Sequence, residues 1–474
     1  MSNDRAYRNA KSNLPLVALL ILFIAVTIAA YAITGPAWDV IVHYLNSRSY
    51  INNLFIARTF GSYNINGWEI QKDTFYIEPT REIMPSVFLV PLGLVFHNPI
   101  APYLVILCFV FEISVWFFGK SLKLDKFITY SLLLSPFFIY FSLIVNTTEI
   151  LSVSFLLITL GLMYKKSPSA GVSLAMACLS KDPNLVFVPL LLLLGEKKRI
   201  ATSYVMFAIA ISPLLLFNYY FYGNPFYNYI ADFSFNLSSS TAFSVPYVPI
   251  LIGISIPAVF IAIVLVLSFK RNSYLDGIWM YVFRERSFTR VLACFTFLSV
   301  IAYLIISQNT DYLGKIRFAY LICLPASVLA LLLLQGQVSR LKQLRTYALV
   351  MSALIMIASL ASVYYIGGTG AGVTNANSNS SVFSGSIHEL ASLGYRNCRV
   401  TSNAWVYLLY LNESAYSPLF LNSTVASEYP IVVFNDAGVA PSLLWNINDS
   451  RLEFSGAHFS IYYPRNVTCV SSNN

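Results

Sequence analysis

From Leu14 to Ile366 the sequence is built of apolar runs, several of them close to the roughly 20 residues that an α-helix needs to cross a hydrocarbon core about 30 Å thick. They are Leu14–Thr34, Ile83–Phe96, Ile100–Phe118, Phe127–Val145, Ile150–Tyr164, Ser169–Leu179, Leu185–Leu194, Ile200–Phe217, Val248–Phe269, Val291–Ser307, Phe318–Leu334 and Tyr347–Ile366. Nothing comparable follows. Inside a bilayer each backbone N–H and C=O must be satisfied within its own segment, so such runs fold as helices. Only 11% of the 474 residues are charged, less than half of the roughly 25% in an ordinary soluble domain. The expected fold is mostly α, a polytopic membrane bundle, and a soluble enzyme is excluded.

The net charge of +9 does not point to nucleic acid, because the cations follow the apolar runs. Of 30 Lys and Arg residues, 19 stand in short segments between the runs: Arg5/Arg8/Lys11, Lys120/Lys123/Lys126, Lys165/Lys166, Lys197/Lys198/Arg199, Lys270 to Arg290, and Arg340/Lys342/Arg345. This is the positive-inside pattern, and it sets the amino terminus and these loops in the cytoplasm. Leu14–Thr34 is longer than the apolar core of a signal peptide and has no small-residue cleavage site before Trp38, so a retained first helix is expected. Placing the carboxy terminus outside requires an odd number of crossings. Ile83–Phe96 is short and carries Pro85 and Pro91, which marks it as re-entrant and leaves about eleven spans. Ser169–Leu179 and Leu185–Leu194 are also short, and the tip between them, Ser180 to Asn184, is expected inside the protein.

Three regions lie outside this bundle of residues 1–366 or decorate it. Residues 35–81 form a long outer loop that mixes aromatic and polar side chains, expected as amphipathic helices lying on the bilayer. Residues 367–386 are a Gly/Ser/Asn linker. Residues 387–474 read as a small extracytoplasmic α/β domain with strands at Cys398–Thr401, Val406–Leu411, Ile431–Phe434 and Phe459–Tyr462. Cys398 and Cys469 both belong to it and are free to pair in an oxidising compartment, whereas Cys108, Cys178, Cys294 and Cys323 stand in apolar runs. Glycosylation sequons begin at Asn146, Asn236, Asn379, Asn412, Asn422, Asn448 and Asn466, all on faces that charge assigns to the outside. They suit the plasma membrane of an archaeon or the membrane of the endoplasmic reticulum.

Charged residues in or beside membrane spans are costly and mark function by default. On the outer side they gather at Asp39 and Arg48 after the first run, at Glu78, Arg81 and Glu82 before the second, and at Glu149. Lys181 in the short pair, with Lys315 and Arg317, adds cations. A carboxylate can act as general base toward a hydroxyl, while Lys and Arg can hold a phosphate and offset charge on a leaving phosphate. Plainer roles compete: Asp39 as a helix terminator, a Lys181–Asp182 pair, Glu78 and Glu82 as partners of Arg81, His43 as an interfacial side chain, and Tyr219, Tyr220, Tyr222, Tyr227 and Tyr229 as an aromatic belt. No Cys/His spacing of metal-ligand type occurs.

This arrangement resembles the GT-C-type integral membrane glycosyltransferases, mannosyltransferase-like enzymes that use polyprenyl- or dolichyl-phosphate sugars. The resemblance runs through Asp39 with Tyr44 and Arg48, through Arg81 with Pro85, through Glu149, through Arg317-Phe318 and through Tyr222-Gly223-Asn224-Pro225. It departs at Val40, where many members carry a second carboxylate, and at Glu82-Ile83, where Pro-Pro is commoner. The resemblance implies transfer with inversion from a lipid-phosphate sugar to an acceptor on the outer face. Asp39 and Glu149 would be catalytic, and Arg48, Glu78, Arg81, Lys181, Lys315 and Arg317 would bind substrate. It leaves open a divalent metal, the sugar and the acceptor; the partners it implies are membrane lipid and the sugar donor. A transporter or flippase of polar lipids and a non-catalytic scaffold are the rival readings. Against the transporter stands the lack of an internal repeat in the sequence.

Overall fold

The computed structural model describes residues 2–34, 36, 38–51, 82–134, 147–230, 286–308, 318–338, 342–369, 400–402, 415–416, 430–434, 447–448, 450–456 and 459–464. They are mostly helical. In chain order come α1 (Ser2–Thr34), α2 (Trp38–Tyr50), α3 (Ile83–Val95), α4 (Ile100–Ser121), α5 (Lys126–Leu133), α6 (Thr147–Tyr164) and α7 (Ala170–Ser180). A 3-10 helix (Asp182–Leu194), α8 (Lys197–Tyr222), α9 (Arg286–Gln308), α10 (Tyr320–Val338) and α11 (Lys342–Thr369) follow. Five strands close the chain: β1 (Val400–Ser402), β2 (Ala415–Tyr416), β3 (Ile431–Phe434), β4 (Ser450–Ser455) and β5 (Phe459–Pro464).

Among the described residues, four helical stretches are long and apolar enough to cross a membrane: Asn13–Ile33, Ile100–Ser121, Lys197–Tyr220 and Phe288–Ile306. Their outward side chains are apolar and bare, with Leu14, Ile21, Ile209 and Leu216 each more than 60% exposed. A surface of that kind is stable against acyl chains and not against water. The chain is a membrane protein. Six further apolar helices run to only 10–17 residues, α3 among them. Of the expected spans, Val248–Phe269 and residues 135–145 lie outside the described residues.

The chain divides into two compact units. The first holds residues 1–29, 82–85 and 104–362. Within it α6 packs on α7, α7 on α8, the 3-10 helix on α9, and α9 on α10. Leu151, Leu157, Leu174, Ala177, Phe187 and Leu191 are wholly buried there, and the Phe187 and Phe295 rings meet at 4.9 Å. The approach of α7 to α8 depends on Gly171, where a Cβ would stand 1.9 Å from the Ser203 carbonyl oxygen. Helix α8 stops at Gly223, which takes the left-handed conformation (φ 71°) that glycine adopts most cheaply, and its N–H donates to the Tyr219 carbonyl at 3.0 Å. Asn218 Nδ2 then donates to the Pro225 carbonyl at 3.1 Å, and the Asn224 side chain accepts from the Phe226 N–H at 2.9 Å. The Tyr222-Gly223-Asn224-Pro225 motif is thus a helix stop.

The segment after α7 is longer than its residue count suggests. As α-helix, 13 residues would span about 20 Å. As a 3-10 helix they reach roughly 26 Å. Pro183 at its start and Pro189 within it remove two backbone donors, which weakens the α ladder that would otherwise compete.

The second unit holds residues 30–81, 86–103 and 363–474. Here α2 is the described part of the expected outer loop of residues 35–81. Apart from half-buried Tyr44 and Arg48, its described side chains from Asp39 to Ile51 are buried. It buries the polar side chains of His43, Asn46 and Ser47. His43 Nδ1 and Ser86 Oγ lie 3.0 Å apart, and Ser47 Oγ donates to the Tyr44 carbonyl at 2.7 Å. Residues 52–81 of that loop are outside the described residues.

The sheet of this unit is mixed, in the order β2-β1-β3-β5-β4. β1 runs parallel to β2 and β3, while β5 lies antiparallel between β3 and β4. Val432, Phe459 and Ile461 are buried on one face of it, and Ile431 and Val433 on the other, with Tyr462 and Ile447. The expected strand Val406–Leu411 falls outside the described residues, and β2 begins at Ala415.

Candidate functional site

In the first unit three charged side chains from distant stretches of chain converge. Glu82 immediately precedes α3, Glu149 stands in the first turn of α6, and Lys181 occupies the break between α7 and the 3-10 helix. Lys181 Nζ lies 2.6 Å from Glu82 Oε1 and 3.4 Å from Glu149 Oε1. All three side chains are at least nine-tenths buried. The Phe318 ring adds a cation–π face, its centroid 5.3 Å from the ammonium.

Local structure fixes each partner. A carboxylate in a first turn is favoured by the positive end of the helix dipole, which suits Glu149. Lys181 has extended backbone (φ −161°, ψ 117°), and its N–H still closes α7 on the Ala177 carbonyl at 2.9 Å. A residue before proline is pushed out of the α region, so the Asp182-Pro183 step interrupts the helix at this point.

Beside the ion cluster runs a neutral network. Tyr320 Oη donates to Asn184 Oδ1 at 3.1 Å, and Asn184 Nδ2 donates to Ser152 Oγ at 2.7 Å and to the Ala177 carbonyl at 2.8 Å. One buried amide therefore ties α6, α7, α10 and the 3-10 helix together. Tyr229 lies beyond the α8 stop, within electrostatic reach of Asp182. Burial first, and the Asp182 carboxylate second, push its phenol above the usual range. Its buried hydroxyl has no hydrogen-bond partner among the described residues, the kind of polar gap that a bound polar group or water fills.

Asp39 stands buried in the first turn of α2, in the second unit. One turn on is His43, which is fully buried. Arg48 lies over the Tyr44 ring at 5.7 Å.

Of the residues expected to act, the structure joins Glu149 and Lys181 and places Asp39 and Arg48 on one helix. Glu78, Arg81, Lys315, Arg317, Cys398 and Cys469 lie outside the described residues, as do the sequons at Asn146, Asn236, Asn379, Asn412, Asn422 and Asn466. Asn448 is described and exposed. Glu82, Asn184, Ser152 and Tyr320 are the additions. The sequence signal for Glu82 is the same as for Glu149, a carboxylate at the edge of an apolar run, but the neighbouring Arg81 offers it a simpler partner. Among the described residues no three His, Cys, Asp or Glu side chains stand close enough together to hold a metal ion.

Neither a family model nor a characterised protein matches this sequence.

Proposed function

We propose that the protein is a GT-C-type membrane glycosyltransferase, moving a sugar from a polyprenyl-phosphate carrier to an acceptor on the extracytoplasmic face. The observation that carries this reading is the buried Glu82–Lys181–Glu149 cluster, at the break of a short helix pair. Charge is buried at this cost where it organises a polar ligand or a reaction.

Lys181 serves its two carboxylates, so the donor phosphate falls mainly to Arg81 and Arg317, with Arg48, Glu78 and Lys315 lining substrate. Asp39 is the base that takes the acceptor's proton as the hydroxyl oxygen attacks the anomeric carbon and the lipid phosphate departs. Glu149, held by Lys181, orients donor or acceptor. The amino terminus is cytoplasmic, about eleven spans follow, and residues 387–474 are extracytoplasmic. A divalent metal would be an added requirement rather than a resident feature of the described residues.

One observation favours a second reading. A charged residue at a helix break is also how transporters of polar molecules build their sites. The experiment is sugar transfer by the purified chain in lipid vesicles, with a panel of radiolabelled polyprenyl-phosphate sugars and a glycan acceptor extract. Transfer lost in Asp39→Asn, Glu149→Gln and Arg317→Ala, all still folded, is the expected result. No transfer, with the labelled lipids instead crossing the bilayer faster than in empty vesicles, would replace the enzyme with a flippase. Neither activity would leave a scaffold.

A further inference from the structure

Five cations from two stretches of chain share one end of the first unit. Lys165 and Lys166 follow α6, Lys197, Lys198 and Arg199 open α8, and Arg199 Nη1 donates to the Lys166 carbonyl at 3.4 Å, which sets the two stretches side by side. Glu196 answers one of them, its Oε2 2.9 Å from Arg199 Nε. Helix α4 adds a sixth: Lys120 lies over the Trp116 ring at 4.5 Å, while Lys165 lies over the neighbouring Phe117 ring at 4.6 Å. The four lysines of the two stretches and Lys120 are exposed.

The arrangement opposes the local backbone. Three cations in the first turn of α8 sit at the positive end of its dipole, where anions are favoured. Lys166 takes a left-handed φ of 55°, uncommon for a side chain of its size. Like charges gathered at a helix start are destabilising unless an anion joins them.

The apolar surface below says which anion. Lys198, Val205, Ile209 and Leu216 are spaced 7, 4 and 7 residues apart, so they fall on one face of α8. All four are exposed, with Val205, Ile209 and Leu216 at 57%, 66% and 66%. A cationic head above an exposed apolar stripe, on a helix apolar enough to cross the membrane, is the imprint of an anionic amphiphile.

We propose that this face of α8 binds an anionic phospholipid of the surrounding bilayer, its phosphate on Lys198, Lys166 and Lys165 and its acyl chain along Val205, Ile209 and Leu216. This site uses none of the residues assigned to sugar transfer and stands whether or not that activity is found.

The test is equilibrium binding of a fluorescent anionic phospholipid to the purified full chain in neutral detergent, beside a zwitterionic lipid with the same tails. The anionic lipid should bind more tightly, and raised salt should remove the difference. The variant K165Q/K166Q/K198Q should lose about fivefold per charge, on the order of 100-fold together, while K165R/K166R/K198R should bind as the unaltered protein does. Ile209→Ser with Leu216→Ser should weaken both lipids. Equal binding of the two lipids, a triple Gln variant that binds normally, or loss in the triple Arg variant would overturn the proposal. Full competition by inorganic phosphate would replace it with a free-phosphate site.

Discussion

At the scale of single residues, Lys181 is the side chain on which the described site turns. It is a buried cation with a carboxylate on either side, at 2.6 and 3.4 Å. Removing one member of a buried ion cluster leaves charge that neither water nor a partner solvates, at a cost of about 3–5 kcal/mol. Lys181→Met should therefore lower the thermal unfolding temperature of the detergent-solubilised chain more than Glu149→Gln does. The double variant Lys181→Met/Glu149→Gln should recover part of the loss, because one of the two stranded charges has gone. Simple additivity of the two losses would show that the pair is not coupled. Tyr320→Phe keeps the ring but strands Asn184 Oδ1, a loss of about 1–3 kcal/mol. Its readout should include the sugar transfer proposed above, since Asn184 braces the turn that carries Lys181. The sequence made Lys181 and Glu149 legible because ionisable residues beside apolar runs are conspicuous. It could not disclose Asn184 or Tyr320, which are ordinary near a helix end until the fold brings residues 136 positions apart into contact.

At the scale of elements, the close approach of α7 to α8 rests on a missing side chain. A methyl group on Gly171 would meet the Ser203 carbonyl oxygen at 1.9 Å, and a backbone atom cannot swing aside. Gly171→Ala should push α7 from α8 and destabilise by about 1–3 kcal/mol, the range for overpacked cores. Gly195→Ala makes the contrast, since nothing lies within 4 Å there and only its positive φ (88°) resists. Unfolding curves that rank the two the other way would show that α7 and α8 adjust freely. Element type was legible where pattern and propensity agree. The run Ile431–Phe434 is a strand in sequence and in structure because four β-formers in a row leave little choice. β4, Ser-Arg-Leu-Glu-Phe-Ser, was not legible, being a largely exposed edge strand with charges breaking its alternation. The 3-10 helix was hidden for another reason: an all-apolar run looks the same whichever backbone bond it makes. The partners of the polar residues of α2, Ser86 and the Tyr44 carbonyl, were not legible either.

At the scale of the whole molecule, topology is an argument from charge, and it can be tested at residues the structure describes. Lys198 belongs to the basic stretches that the positive-inside rule assigns to the cytoplasm, and Asn448 to a region of sequons assigned to the outside. Both side chains are exposed, so burial does not hide either from a reagent. Single cysteines at these positions, in a background where all six native cysteines (Cys108, Cys178, Cys294, Cys323, Cys398 and Cys469) are changed to Ala or Ser, should differ in reaction with a membrane-impermeant maleimide. Asn448→Cys should label in intact cells or sealed right-side-out vesicles, and Lys198→Cys only after the membrane is opened. Labelling of both from one side would mean that the count of crossings between them is even, and the first suspect would be the run Val248–Phe269. That outcome would bear directly on the enzyme reading. A donor whose phosphate sits at the outer face needs Asp39 and residues 387–474 on that same face of the bilayer, so a reversed or shared sidedness would remove the sugar-transfer role while leaving the lipid site on α8 untouched.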